Sequence, residues 1–244
     1  MLETAILGLL IAAYAASLAL DLKRSKLAAA SLILSVSLHG CSLILRSVMT
    51  GHAPFSGAFE SMTFFSFLLG LKLCFSPRIL RRWVIGLVLV FLAGALFLPG
   101  HLRMGSPLAP ALKSVFFLVH VPVFFLGYVS LAFAFILSLI RIAGKRDDPM
   151  IDSQILSEAR LGYLLITFGI ITGAVWAFLC WGRFWGWDSK ETWALVTWLV
   201  YSFGLHSRFI RQEHYRLSLI LGFLVVLFTY LGVMFLLPGI HSYR

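Results

Sequence analysis

Residues 181–193 read Trp-Gly-Arg-Phe-Trp-Gly-Trp-Asp-Ser-Lys-Glu-Thr-Trp. Trp181, Trp185, Trp187 and Trp193 share this stretch with Arg183, Asp188, Lys190 and Glu191. Indole faces beside cations suit a large, flat, anionic ligand. Haem has that chemistry: an apolar plane, two acidic propionates and an iron that needs axial ligands, for which neutral imidazole is a common choice. The plainer alternative is an aromatic belt at a membrane surface. Belts do not usually pack tryptophan so densely with Asp, Lys and Glu.

The elements that must position these residues are membrane helices. Hydrophobic residues make up 60% of the chain and charged residues 12%, which excludes a soluble globular domain. Eight apolar segments are each near the length needed to cross a bilayer, about twenty residues: Leu2–Leu20, Leu27–Leu45, Ala58–Phe75, Trp83–Leu98, Ser114–Ile140, Leu161–Cys180, Trp193–Ile210 and Leu217–Leu237. Backbone polar groups in lipid must be bonded within the segment, so these are predicted as helices. The expectation is an all-α polytopic integral membrane protein with about eight transmembrane helices, forming a single domain over 1–244. Residues 141–160 are expected as a polar cytoplasmic connector carrying a short amphipathic helix.

The net charge of +10 invites a nucleic-acid reading, but its distribution points to a lipid bilayer and no nucleic acid. Lys23, Arg24 and Lys26 follow the first span, and Arg78, Arg81 and Arg82 the third. Arg141, Lys145, Arg146 and Arg160 follow the fifth, and Arg208, Arg211 and Arg216 the seventh. Alternate loops thus carry thirteen of the twenty Lys and Arg, the positive-inside signal. It predicts N-out and C-out, with the tryptophan loop on the non-cytoplasmic side. The N-terminus reads as a retained span, because its positive charges follow the apolar run. Cys41, Cys74 and Cys180 form no Cys-x-x-Cys, which argues against thiol–disulfide exchange.

The stretch from Trp181 to Trp193 resembles the tryptophan-rich "WWD" signature of the cytochrome c assembly proteins, in the CcsA (ResC) branch. Gly173-Ala174-Val175-Trp176-Ala177 also matches, which extends the WWD loop to 176–193. Ser189 stands where the family usually has proline, and Phe178 and Leu179 where it has polar residues. The CcmC branch has a similar loop without the Lys190-Glu191-Thr192-Trp193 continuation.

The resemblance implies that Trp176, Trp181, Trp185, Trp187, Asp188, Lys190, Glu191 and Trp193 bind haem b, handled as a substrate. It implies that His120, opening the fifth span, and His241, after the last span, are axial iron ligands on the outer side. His206, at the inner end of the seventh span, matches an embedded histidine that pairs with one from a CcsB-like membrane partner. His39 is an alternative inner ligand. His52 reads as structural or substrate-facing, and His101 and His214 as solvated. Glu60 reads as an anion at a helix N-terminus, the alternative being a role near the haem edge. Arg46, Arg103, Lys113, Arg183 and Lys190 are candidate propionate clamps, the commoner role for any one of them being a membrane-flank anchor.

The function implied is haem handling in cytochrome c biogenesis. Haem would move to the outer membrane face and be presented for covalent attachment to apocytochrome c, with the chain as one component of a holocytochrome c synthetase. A separate CcsB-like partner, rather than a fused CcsB portion, is expected. The membrane is the bacterial inner (plasma) membrane or alternatively the plastid thylakoid. The alternatives are a CcmC-like haem chaperone or exporter that does not ligate haem, and an unrelated secondary transporter. A transporter predicts internal repeats and paired interrupted helices, and neither is evident.

Overall fold

The structure, a computed structural model, describes residues 2–105, 107–144, 148–207 and 212–237. Each of the eight apolar segments is helical over most of its described residues. The chain divides into two compact units, Met1–Pro110 and Ala111–Arg244. The first holds α1 (Leu2–Leu22), α2 (Ala28–Thr50), α3 (Ala58–Cys74), α4 (Arg81–Phe97) and a single turn, α5 (Gly100–Arg103). The second holds α6 (Val115–Gly144), α7 (Pro149–Trp181), α8 (Ser189–Ser207) and α9 (Gln212–Leu227). A π-helical turn, Phe228–Gly232, and α10 (Val233–Leu236) continue α9. No strand occurs among the described residues.

Six segments of the described residues are long and apolar enough to cross a membrane: Leu2–Leu22, Ala28–Thr50, Arg78–Phe97, Val115–Gly144, Pro149–Trp181 and His214–Leu236. α3, with 17 residues, and α8, which opens on Ser-Lys-Glu-Thr, are not among the six. The protein is an integral membrane protein. An exposed Leu, Ile or Phe on such a helix faces hydrocarbon, so apolar burial does not decide which helices pair.

The first unit is held by polar contacts between helices. Ser17 on α1 bonds Ser31 at 2.8 Å and Ser35 at 3.1 Å on α2. Arg46 and Glu60 are buried at 8% and 3% exposure, with Arg46 Nε donating to Glu60 Oε1 at 3.0 Å. The same guanidinium bonds Glu3 and the Arg103 carbonyl. Ser56 donates to Glu60 Oε2 from both its amide, at 3.1 Å, and its hydroxyl, at 2.7 Å. Arg46 is therefore a structural cation committed to its own unit, not an outward-facing propionate clamp. Glu60 does lie in the first turn of α3, as an anion near the helix N-terminus, with an ion pair added.

In the second unit α7 begins earlier than its apolar run. Asp148 caps it, accepting from the amides of Met150 and Ile151 at 3.1 Å each, and Pro149 occupies the first turn. Both are helix-start signals. The helix then runs unbroken for 33 residues, so the amphipathic helix expected inside 141–160 is the opening of α7 itself. Arg141 and Arg216, counted above as loop cations, lie on α6 and α9. Both pair with Asp152 of α7, at 3.2 and 2.9 Å.

Glycines set the spacing of α6 against α7. A Cβ at Gly162 would stand 2.5 Å from Leu131, and one at Gly127 would stand 2.8 Å from Ile166. Leu164, Phe168 and Ile171, on another face of α7, are exposed. Gly162→Leu should lower stability by about 1–3 kcal/mol through overpacking. Gly86→Ala meets nothing within 4 Å and should raise it by about 0.5–1 kcal/mol. Thermal unfolding in detergent compares the two, and equal effects would show that the seam does not set the packing.

Candidate functional site

α6 and α7 bring a predicted iron ligand against the tryptophans. His120 lies in the second turn of α6, with Nδ1 2.8 Å from the Gly169 carbonyl oxygen on α7. A carbonyl can only accept, so Nδ1–H donates and Nε2 is the ring's acceptor nitrogen. Metal-ligating histidines are commonly oriented in this way. Gly173 makes room for the ring: a Cβ there would stand 2.5 Å from Cε1 and 2.7 Å from Nδ1. A Cβ at Gly169 would stand 2.5 Å from the Phe124 ring, which itself packs edge-on to His120 at 5.1 Å.

Trp176 also packs near the imidazole, 5.8 Å between ring centroids. It is buried, and its Nε1–H donates to the Ala111 carbonyl at 3.0 Å. Trp181 meets Trp176 edge-on at 5.4 Å. His120, Trp176 and Trp181 thus form one continuous run of rings.

At Trp181 the chain turns. Gly182 takes the left-handed conformation, φ +69°, and its amide caps α7 at the Phe178 carbonyl, 2.8 Å away. Phe184 stacks back on Phe178 at 4.4 Å. Trp185 and Trp187 meet edge-on at 5.9 Å. Trp187 is also left-handed, φ 57°, a conformation that side chains other than glycine rarely adopt. It is 70% exposed. The Trp185 Nε1–H is buried and has no acceptor among the described residues.

α8 opens on a reciprocal cap. Asp188 Oδ1 accepts from the Lys190 amide at 2.8 Å, and Glu191 Oε2 accepts from the amides of Gly186 and Asp188 at 2.7 and 3.3 Å. Ser189 takes the first helical position, where proline is equally suited. Lys190 is partly buried ahead of the apolar stretch that begins at Trp193. Desolvation lowers its pKa to about 8, against an opposing pull from Asp188. Farther along α8, Trp193 packs on Phe228 of the π turn at 4.3 Å. Thr229 from the same turn donates to the Trp193 carbonyl at 3.1 Å. π turns recur at functional sites.

The sequence from 1 to 241 matches the family described as Cytochrome C assembly protein. The chain belongs to that family. Among curated relatives, the cytochrome c biogenesis protein CcsA of Chlamydomonas reinhardtii is 37% identical, over 82% of this chain and 64% of that protein. The CcsA of Prochlorococcus marinus is 30% identical over 90% of this chain and 83% of its own length. In fold, the chain is similar to the cytochrome c haem lyase CcmF, with a TM-score of 0.70 at 16% identity. That likeness covers 92% of this chain and 45% of CcmF. The match therefore spans less than two thirds of the Chlamydomonas protein and under half of CcmF.

In this cytochrome c assembly protein the other histidines singled out from the sequence have surroundings of their own. His206 is exposed, its Nδ1 donating to the Ser202 carbonyl at 2.7 Å. It lies seventeen residues beyond Ser189 on α8, roughly 25 Å along the helix axis. His241 lies outside the described residues. His39 is fully buried, with Nδ1 3.3 Å from the Tyr14 hydroxyl. His52 Nδ1 is 3.3 Å from the Ser56 hydroxyl, and that side chain is buried beside Glu60. His101 and His214 are exposed. No group of three His, Cys, Asp or Glu gathers as a metal site among the described residues. Residue types alone did not reveal the seat at Gly173, the Gly169 carbonyl or the Ala111 acceptor. The Asp-x-x-Glu spacing could have revealed the cap.

Gly173→Ala should force the His120 ring away and break its bond to Gly169. Histidine 15N spectra should show a protonated Nδ1 in the native protein and a mixed tautomer in the variant. An unchanged His120 signal would mean that Gly173 does not seat the ring.

Proposed function

We propose that this protein is the haem-handling, CcsA-type subunit of a cytochrome c biogenesis system, with residues 1–244 acting as one transmembrane domain. It moves haem b to the outer membrane face and presents it for attachment to apocytochrome c. One observation carries this reading: His120, oriented by the Gly169 carbonyl, stands at the end of a run of rings leading into the tryptophan loop. His241, by resemblance, supplies the second axial ligand. Trp181, Trp185, Trp187 and Trp193 provide faces for the porphyrin, and Lys190 pairs with a propionate. Trp185 Nε1–H is a further donor for that anion.

The charge asymmetry of the loops supports eight spans, with α3 and α8 included, and both termini and the tryptophan loop outside. His206 then lies near the inner side, where its exposure suits ligation shared with a CcsB-like partner. The membrane is the bacterial plasma membrane or the thylakoid. Attachment adds each thiol of the apocytochrome Cys-x-x-Cys-His segment across a haem vinyl group. A C–S bond forms at one vinyl carbon and the other takes the proton, so no oxidant is consumed. This protein's part is to hold and orient the ring.

The test is a visible spectrum of the protein purified in mild detergent from cells supplying a CcsB-like partner. The native protein should show bis-histidine haem. His120→Ala should lose most of it, with partial restoration by imidazole. His206→Ala should load less haem, and what remains should keep the native spectrum. A colourless native protein, or a native spectrum in His120→Ala, contradicts the assignment.

Lys190 adds a pH dependence. Its pKa is lowered to about 8, so it is a cation below that pH and neutral above it. Pairing with a propionate is present at the lower pH and lost as pH rises through 8. Haem affinity should fall by about tenfold between pH 7 and 9, as expected for losing one charge-assisted bond. Lys190→Arg should flatten the profile. A native affinity independent of pH over that interval removes Lys190 from the site.

A further inference from the structure

Asp188 and Glu191 are acids within a loop proposed to hold a dianionic ligand, where direct contact with propionates would be repulsive. Their carboxylates are instead occupied by the backbone. Asp188 Oδ1 takes the amides of Lys190 at 2.8 Å and Glu191 at 3.4 Å. Glu191 Oε2 reaches back to the amides of Gly186 at 2.7 Å and Asp188 at 3.3 Å. Gly186 and Asp188 are the residues on either side of Trp187. The two carboxylates therefore close a ring of bonds around the one tryptophan whose backbone is left-handed. An L-residue at φ 57° is strained, and that ring of bonds offsets the strain.

Gly186 contributes by close approach. A Cβ there would stand 2.9 Å from the Arg183 Nε, so the guanidinium lies directly over the turn that Glu191 bonds. Trp187, bracketed in this way, is the most exposed tryptophan of the loop, at 70% against 37% for Trp181.

We propose that Asp188 and Glu191 are positioning residues. They form a clasp that holds Trp187 in its left-handed conformation with the indole projecting from the loop, and neither touches haem. The role of the projecting indole rests on the haem reading above, whereas the clasp itself does not. The charge of the two acids is then dispensable, and their ability to accept hydrogen bonds is not. Asparagine caps a helix about as well as aspartate, and glutamine can replace glutamate in the reciprocal position.

The experiment compares Asp188→Ala, Asp188→Asn, Glu191→Ala, Glu191→Gln and Trp187→Gly in the full chain purified with its CcsB-like partner. Two quantities are read: haem retained, by visible spectrum, and amide hydrogen exchange over residues 182–193. The alanine variants should exchange the amides of Gly186, Asp188, Lys190 and Glu191 about fivefold faster or more, as expected for a lost cap, and should retain less haem. The Asn and Gln variants should stay close to native in both. Trp187→Gly should keep native exchange, because glycine accepts the left-handed backbone without strain, and should lose haem. Loss of haem in Asp188→Asn with native exchange would overturn the proposal, because it would show the charge acting directly. Alanine variants that keep haem despite fast exchange would overturn it too, as would alanine variants with native exchange. A native protein that carries no haem would instead sink the haem reading, and the exchange data alone would then decide whether the clasp holds.

Discussion

The close approach of α6 and α7 is the constraint on which the site depends. Apolar burial does not drive helices together within hydrocarbon, because lipid is as apolar as leucine. Fit decides, and small residues provide it. Gly127 and Gly162 let the two backbones near each other, and Gly173 lets the His120 ring lie against α7. Only at that distance does the Gly169 carbonyl reach Nδ1 at 2.8 Å. The contact that fixes the helix pair also fixes the tautomer of the proposed iron ligand.

Polar groups follow the same logic at the helix ends. Asp152 holds Arg141 and Arg216 on two neighbouring helices. In the other unit Arg46 holds Glu60, Glu3 and the Arg103 carbonyl. Removing the acid of such a set leaves an uncompensated charge on a buried arginine, Arg46 or Arg141. These clusters build the scaffold and are spent on it. Beside the tryptophans, Arg183 and Lys190 remain as cations for an anionic ligand, Lys190 only while it keeps its proton.

Much of the fold was legible, because composition alone decides that long apolar runs in lipid are helices. The described residues of all eight segments are largely helical for that reason. The extension of α7 back to Pro149 was signalled by Asp148-Pro149, although the polarity of the following residues suggested a connector. The Asp152 cluster was not legible: its partners lie 11 and 64 residues away, and pairing at such range depends on which helix faces meet. The glycine seam was hidden for the same reason, since a glycine in a helix reads only as a weak helix former. In the loop, the run of tryptophans singled out the stretch where α7 ends and α8 begins. Asp188 and Glu191, beside four indoles and a lysine, read first as ligand chemistry, although their spacing is that of a helix cap.

The central claim is that His120, oriented through the Gly169 carbonyl, ligates haem iron beside the tryptophan loop. The most direct measurement is a cryo-electron microscopy map of the haem-loaded protein prepared with a CcsB-like protein. The account predicts His120 Nε2 bonded to the iron, Nδ1 still on the Gly169 carbonyl, and the porphyrin against Trp187. Haem ligated elsewhere, or a His120 ring still packed on Trp176 with no iron at Nε2, would contradict it.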